Sequence, residues 1–120
     1  MQQRKVQFQL PKAVLETYKE YLPGNGTVIF KEPMYSDEMA VKKKLPPNYQ
    51  MDVFHDELMR VCIERVGDKA LSITDGTVDA FFSNLPAALM GMLGAAFSRA
   101  YSPFETKILE DFVGSRVEIF

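Results

Sequence analysis

One histidine, His55, and one cysteine, Cys62, supply the only imidazole and the only thiol of this 120-residue chain. A zinc site needs several nitrogen or sulfur donors that converge on one ion, and one imidazole with one thiol cannot supply them. In helical phase the two residues lie about two turns apart on neighbouring faces, too distant to share an ion. We therefore predict that the chain binds no metal and no cofactor.

No other motif completes a catalytic site. Cys62 lies in the apolar stripe of a predicted helix, whereas a nucleophilic cysteine requires partial exposure and a cationic neighbour. The segment Asp75 to Asp79 begins like a calcium loop but lacks its alternating oxygen ligands and closing glutamate. Gly91 and Gly94 lack the lysine and hydroxyl of a phosphate loop. The sequence predicts a protein that is not an enzyme and acts by binding.

Composition excludes several kinds of partner. Fourteen basic and sixteen acidic side chains give a net charge of −2, so the basic excess of a nucleic-acid-binding domain is absent. The only basic run, Lys42 to Lys44, follows Asp37 and Glu38 and is typical of a solvated helix end. A single cysteine favours a reducing compartment, and no signal peptide or membrane-spanning stretch is apparent. We expect a soluble cytoplasmic protein.

The elements that position these residues begin with a strand-helix-strand unit at residues 4–31. Val6, Phe8 and Leu10 alternate with polar residues and predict a half-buried strand. A helix is predicted from Lys12 to Leu22, followed by a turn and a second strand at Thr27–Lys31, which is rich in β-branched and aromatic residues.

Residues 36–113 are predicted to be helical, and residues 115–120 alternate like a strand. Helix patterns cover Ser36 to Lys44, Met51 to Val66, Thr77 to Asn84, Pro86 to Ala100, and a last helix whose apolar face is Ile108, Leu109, Phe112 and Val113. Leu71 and Ile73 fit either a very short strand or a loop. The predicted fold is one mostly helical α+β domain whose small sheet has two strands, or three if the C-terminal tail joins it.

The segment from Phe81 to Ala100 is more apolar than one face of one helix requires. Methionines adapt to different partners, so part of this segment is a candidate docking face for a helix or for a second copy of the chain. The alternative is that the segment is ordinary core. The candidate partner-binding residues are Phe81, Phe82, Met90, Met92, Leu93 and Phe97.

The order of motifs resembles that of a known family. The elements are Phe8-Gln9-Leu10-Pro11, Gly26 to Pro33, the Met51 to Ile63 helix, Leu71 to Asp75, and Phe81-Phe82-Ser83-Asn84-Leu85-Pro86 with the small-residue helix after it. This order is similar to that of small bacteriophage tail-assembly proteins, which include tail-assembly chaperones and the related baseplate-hub family.

The resemblance implies a non-enzymatic α+β protein in the cytoplasm of a bacterial host. Such chaperones bind and shield a helical partner, the long apolar tape-measure protein, until the tail tube grows around it. Two alternatives remain open at this point. One is a structural subunit of a phage tail or baseplate, and the other is a small phage-encoded inhibitor of a host protein.

Overall fold

An antiparallel sheet forms one layer of the fold in the computed structural model, which describes residues 3–102 and 106–115. Its strands pair in chain order and are β1 (Lys5–Gln9), β2 (Thr27–Lys31), β3 (Ile63–Val66) and β4 (Lys69–Ala70). The helices are α1 (Lys12–Thr17), α2 (Tyr35–Lys44), α3 (Met51–Cys62), α4 (Thr77–Ser83), α5 (Ala87–Tyr101) and α6 (Thr106–Gly114). The predicted α+β class is confirmed.

The two predicted N-terminal strands pair directly with each other. Val6 lies opposite Phe30, and Phe8 lies opposite Val28. Val28 and Phe30 are buried while the polar residues of β1 are exposed, as a period-two pattern requires. The connecting helix α1 is shorter than predicted, because Tyr18 leaves helical geometry, but Leu22 still reaches the core.

The prediction of a helix that continues to Val66 is wrong. Helix α3 ends at Cys62, and residues Ile63–Val66 pair with β2 as strand β3. Gly67, whose φ of 61° suits the glycine-favoured left-handed region, then turns the chain into β4. Its N–H donates to the Thr27 carbonyl at 2.6 Å. If α3 continued to Val66, the backbone N–H and C=O groups on this edge of β2 would have no strand to pair with. Strand β3 supplies their hydrogen-bond partners.

The sheet therefore takes its third and fourth strands from the middle of the chain. The part predicted to be mostly helical, residues 36–113, contains strands β3 and β4. Leu71 and Ile73 lie beyond β4 in a loop. The C-terminal strand predicted for the tail falls on residues 116–120, which lie outside the described residues.

Helices α3 and α5 cover one face of the sheet. Both contact β2, and they also contact each other. The Phe97 ring of α5 lies 5.4 Å from the Phe30 ring of β2, and Leu58 and Met59 of α3 are fully buried. Each large apolar side chain buried in this layer stabilises the folded state by about 1.5–3 kcal/mol relative to an exposed one.

Helix α2 begins one residue earlier than predicted. The expected capping residue, Ser36, lies inside the helix, whose N-cap residue is Met34. The Asp37 carboxylate accepts the Met34 N–H at 2.9 Å and lies 3.5 Å from the Lys31 ammonium group. Lys42 to Lys44 form the exposed last turn, where cations favour the negative end of the helix dipole.

Candidate protein-binding surface

Three of the six predicted partner-binding residues lie in the core. Leu93 and Phe97 are fully buried, and Phe82 is 6% exposed. Leu93 and Phe97 belong to the stripe of α5 that packs on the sheet, with Leu89 and Ala100 on the same side. Phe82 lies beneath the Arg60 guanidinium, 4.8 Å from the ring centre. The prediction that these three side chains form a docking face is therefore corrected: they bury apolar area inside the chain.

The other three residues, Phe81, Met90 and Met92, are partly exposed. Each packs against the core with one side and faces outward with the other. Phe81 also contacts Phe82 edge to face, with ring centres 5.1 Å apart. These residues therefore provide scattered apolar contacts, and their availability to a partner stays a prediction.

Phe81 lines an open groove of about 390 Å³ between the end of α4 and the turn after α1. Leu22, Pro23 and Leu85 form apolar parts of its wall, and Lys19 and Lys69 are charged parts.

Helix α6 carries an exposed apolar surface. All of its side chains are exposed, and its apolar stripe consists of Ile108, Leu109, Phe112 and Val113, which are between 47% and 76% exposed. These positions follow a spacing of one, four and five residues, so they lie on one face of the helix. The polar positions include Lys107 and Asp111, which form an ion pair at 3.9 Å. Sequence periodicity predicts this stripe. The structure adds that no other described residue covers it.

A second exposed apolar surface, which we call the α2 patch, consists of Met34, Tyr35, Met39 and Tyr101. These side chains are between 38% and 72% exposed. The Tyr101 hydroxyl at the end of α5 donates a hydrogen bond to the Glu38 carboxylate of α2 and so joins the two helices. Partial burial and this carboxylate raise the pKa of Tyr101 to about 12. Local sequence patterns do not predict the α2 patch, because Tyr101 is distant from α2 in sequence.

His55 of α3 contacts Ser98 of α5, a contact that the sequence pattern does not predict. Its Nε2 lies 3.0 Å from the Ser98 hydroxyl, which donates to the Gly94 carbonyl at 3.1 Å. The nearest carboxylate oxygen, from Asp56, lies 4.0 Å from Nδ1, too far to orient the ring as in a catalytic triad. Because the hydroxyl already donates within its own helix, we assign the contact to the packing of α5 against α3.

Cys62 lies fully buried at the end of α3. Burial raises the pKa of its thiol to about 12, and the nearby Asp37 carboxylate acts in the same direction. The thiol is therefore protonated at neutral pH, which opposes nucleophilic chemistry. Within residues 3–102 and 106–115, no three His, Cys, Asp or Glu side chains come close enough together to hold a metal ion.

Comparisons with protein-family models, with curated proteins and with solved structures gave no match for this chain. In the part of the chain that the structure describes, no helix has the length and apolar character needed to cross a membrane. The two exposed apolar surfaces, α6 and the α2 patch, are the candidate sites for binding a partner.

Proposed function

We propose that this chain is a non-enzymatic phage tail-assembly protein that binds and shields a helical partner, such as the tape-measure protein, in the cytoplasm of a bacterial host. The class of partner comes from the family resemblance of the sequence. The observation that carries the proposal is the exposed apolar stripe of α6.

The properties of α6 fit helix-to-helix binding. An isolated helix of nine residues is marginal in water, so a partner that covers its apolar stripe would stabilise it. Ile108, Leu109 and Phe112 present branched and aromatic side chains on one face, the usual form of a helix that lies in an apolar groove or beside another helix. Polar residues on the other face keep the bound helix hydrated.

Co-expression with a phage tape-measure protein tests the proposal. The wild-type chain is expected to keep the tape-measure protein in the soluble fraction after centrifugation. Phe112→Ser is expected to weaken binding of the tape-measure protein by about tenfold or more, since burial of one phenylalanine side chain is worth about 1.5–3 kcal/mol, and so to lower its soluble amount.

Lys107→Ser is the matched control, because it places serine on the side of the same helix that lies opposite the apolar stripe. This variant is expected to retain the solubilising effect, and circular dichroism should be the same for both variants. Equal loss of solubility with both, or no effect of the wild-type chain, would contradict the proposal. Met92→Asp tests whether the outward side of α5 also contributes.

A structural subunit of the tail or baseplate is the second candidate, and one observation favours it. Among the described residues, β1 pairs only with β2, so its outer edge can accept a strand from a neighbouring subunit. Mass spectrometry of purified phage particles separates the candidates. A subunit is expected in fixed copy number, whereas an assembly chaperone is expected to be absent.

A further inference from the structure

The exposed faces of α2 and α6 have matching residue spacing. On α2 the exposed positions Tyr35, Ser36, Met39 and Ala40 are separated by one, four and five residues. The apolar stripe of α6 has the same separations. Side chains spaced in this way form ridges along each helix, and the ridges of one helix can pack beside those of the other.

The charges beside these two faces are complementary. The last turn of α2 carries Lys42, Lys43 and Lys44, all exposed. Helix α6 carries Glu110 and Asp111 beside its apolar stripe, with Lys107 as its one cation. Opposite charges on the two helices would favour one orientation of packing over the reverse.

The position of α6 in the chain brings it near this surface without covering it. Thr106 follows Tyr101 of the α2 patch by only five residues, yet every described side chain of α6 is exposed. The chain's own α2 is therefore not covered by its own α6. A second copy of the chain offers the same patch with the same charges.

The area requirement also favours a reciprocal arrangement. A stable interface buries roughly 800 Å² on each partner. A helix of nine residues is only about 14 Å long, so one face of it covers a fraction of that area. Two equivalent helix contacts related by a two-fold axis double the buried area and leave no apolar stripe open.

We infer that two copies of this chain form a symmetric dimer in which α6 of each copy packs on the α2 patch of the other. The inference rests on the proposed function only in taking α6 as the binding helix. It adds that the second copy covers α6 until a helical partner competes for the same face.

Analytical ultracentrifugation of the full chain alone, over a range of concentrations, tests the inference without any partner protein. The wild type is expected to show a reversible monomer–dimer equilibrium. Phe112→Ser is expected to raise the dimer dissociation constant by about tenfold or more, because its side chain is buried twice in the symmetric dimer.

A charge exchange between α2 and α6 gives the sharper test. Lys43→Glu on α2 and Glu110→Lys on α6 should each weaken the dimer, whereas Lys12→Glu, a matched change at a distant exposed lysine, should not. Mixing the Lys43→Glu chain with the Glu110→Lys chain should restore a dimer. In that dimer one helix contact keeps both original charges and the other has both reversed.

Other outcomes identify other arrangements. A wild type that stays monomeric at all concentrations overturns the inference. A dimer lost with Phe112→Ser but unaffected by Lys43→Glu indicates that two α6 helices pack on each other, which also overturns it. A dimer with no effect on tape-measure solubility supports the inference and contradicts the proposed function, so the two can fail separately.

Discussion

At the residue scale, burial separates side chains that look alike in the sequence. Leu93 and Met92 are adjacent apolar residues of α5, but Leu93 is fully buried and Met92 is partly exposed. Helical geometry turns neighbouring residues about 100° apart, so one of the two faces the sheet and the other does not. Packing likewise accounts for the positions of the two residues that could have suggested chemistry. Cys62 is buried in the core, and His55 lies between α3 and α5.

Tyr101 gives a prediction about pH. Because its pKa is raised to about 12, its hydroxyl should give a late phase near pH 12 when tyrosinate absorbance is followed. The raised pKa belongs to the folded state, so the neutral hydroxyl stabilises the fold below about pH 10. This contribution is lost as the pH rises through about 12.

Three variants check the assignment of this titration. Tyr101→Phe should remove the late titration phase, and Tyr35→Phe should leave it in place. Glu38→Gln should lower the pKa of Tyr101, because it replaces the carboxylate with a neutral amide. A wild-type titration with no phase near pH 12 would contradict the Tyr101–Glu38 contact.

At the element scale, the turn between β3 and β4 sets the register of the second half of the sheet. Gly67 has a positive φ, and a Cβ at this position would overlap the Pro23 carbonyl oxygen. The close approach of these two backbones joins the β3–β4 turn to the turn after α1. It also places Lys69 beside the groove that Phe81 lines.

Gly67→Ala should therefore lower the free energy of unfolding by about 2–4 kcal/mol, since backbone strain of about 1–3 kcal/mol adds to the steric overlap. Gly91→Ala is the matched control, because an added Cβ at this exposed helical position meets nothing within 4 Å. It should raise the stability by about 0.5–1 kcal/mol through helix propensity. Urea unfolding followed by circular dichroism measures both, and equal effects would contradict the described turn.

At the scale of the whole molecule, the chain has a core region and an extended end. The buried hydrophobic residues described by the structure all lie between Leu10 and Ala100. Helix α6 adds exposed surface beyond them, and the molecule measures 62 Å in its longest dimension against 33 and 30 Å in the others.

A chain that ends at Ser102 should therefore fold. Its melting temperature, measured at dilutions where the full chain is monomeric, should lie within about 4 °C of the full chain's value. The shortened chain should also remain monomeric at high concentration. Removal of residues 1–10 is the contrasting change, because it deletes β1 and the buried Leu10, and we expect that chain to unfold. Unfolding of the chain that ends at Ser102 would show that later residues stabilise the core.

The sequence by itself determined the α+β class, the first two strands and most of the helices, because periodicity and turn residues act over a few neighbouring positions. It also identified the apolar stripe of α6. The end of α3 at Cys62 was decided by tertiary structure, because Ile63–Val66 becomes a strand only beside the open edge of β2. Tertiary structure likewise decided which part of the Phe81 to Ala100 segment is core and which exposed faces remain uncovered. Burial depends on contacts between residues distant in sequence, and a local pattern indicates which face is apolar but not which element covers it.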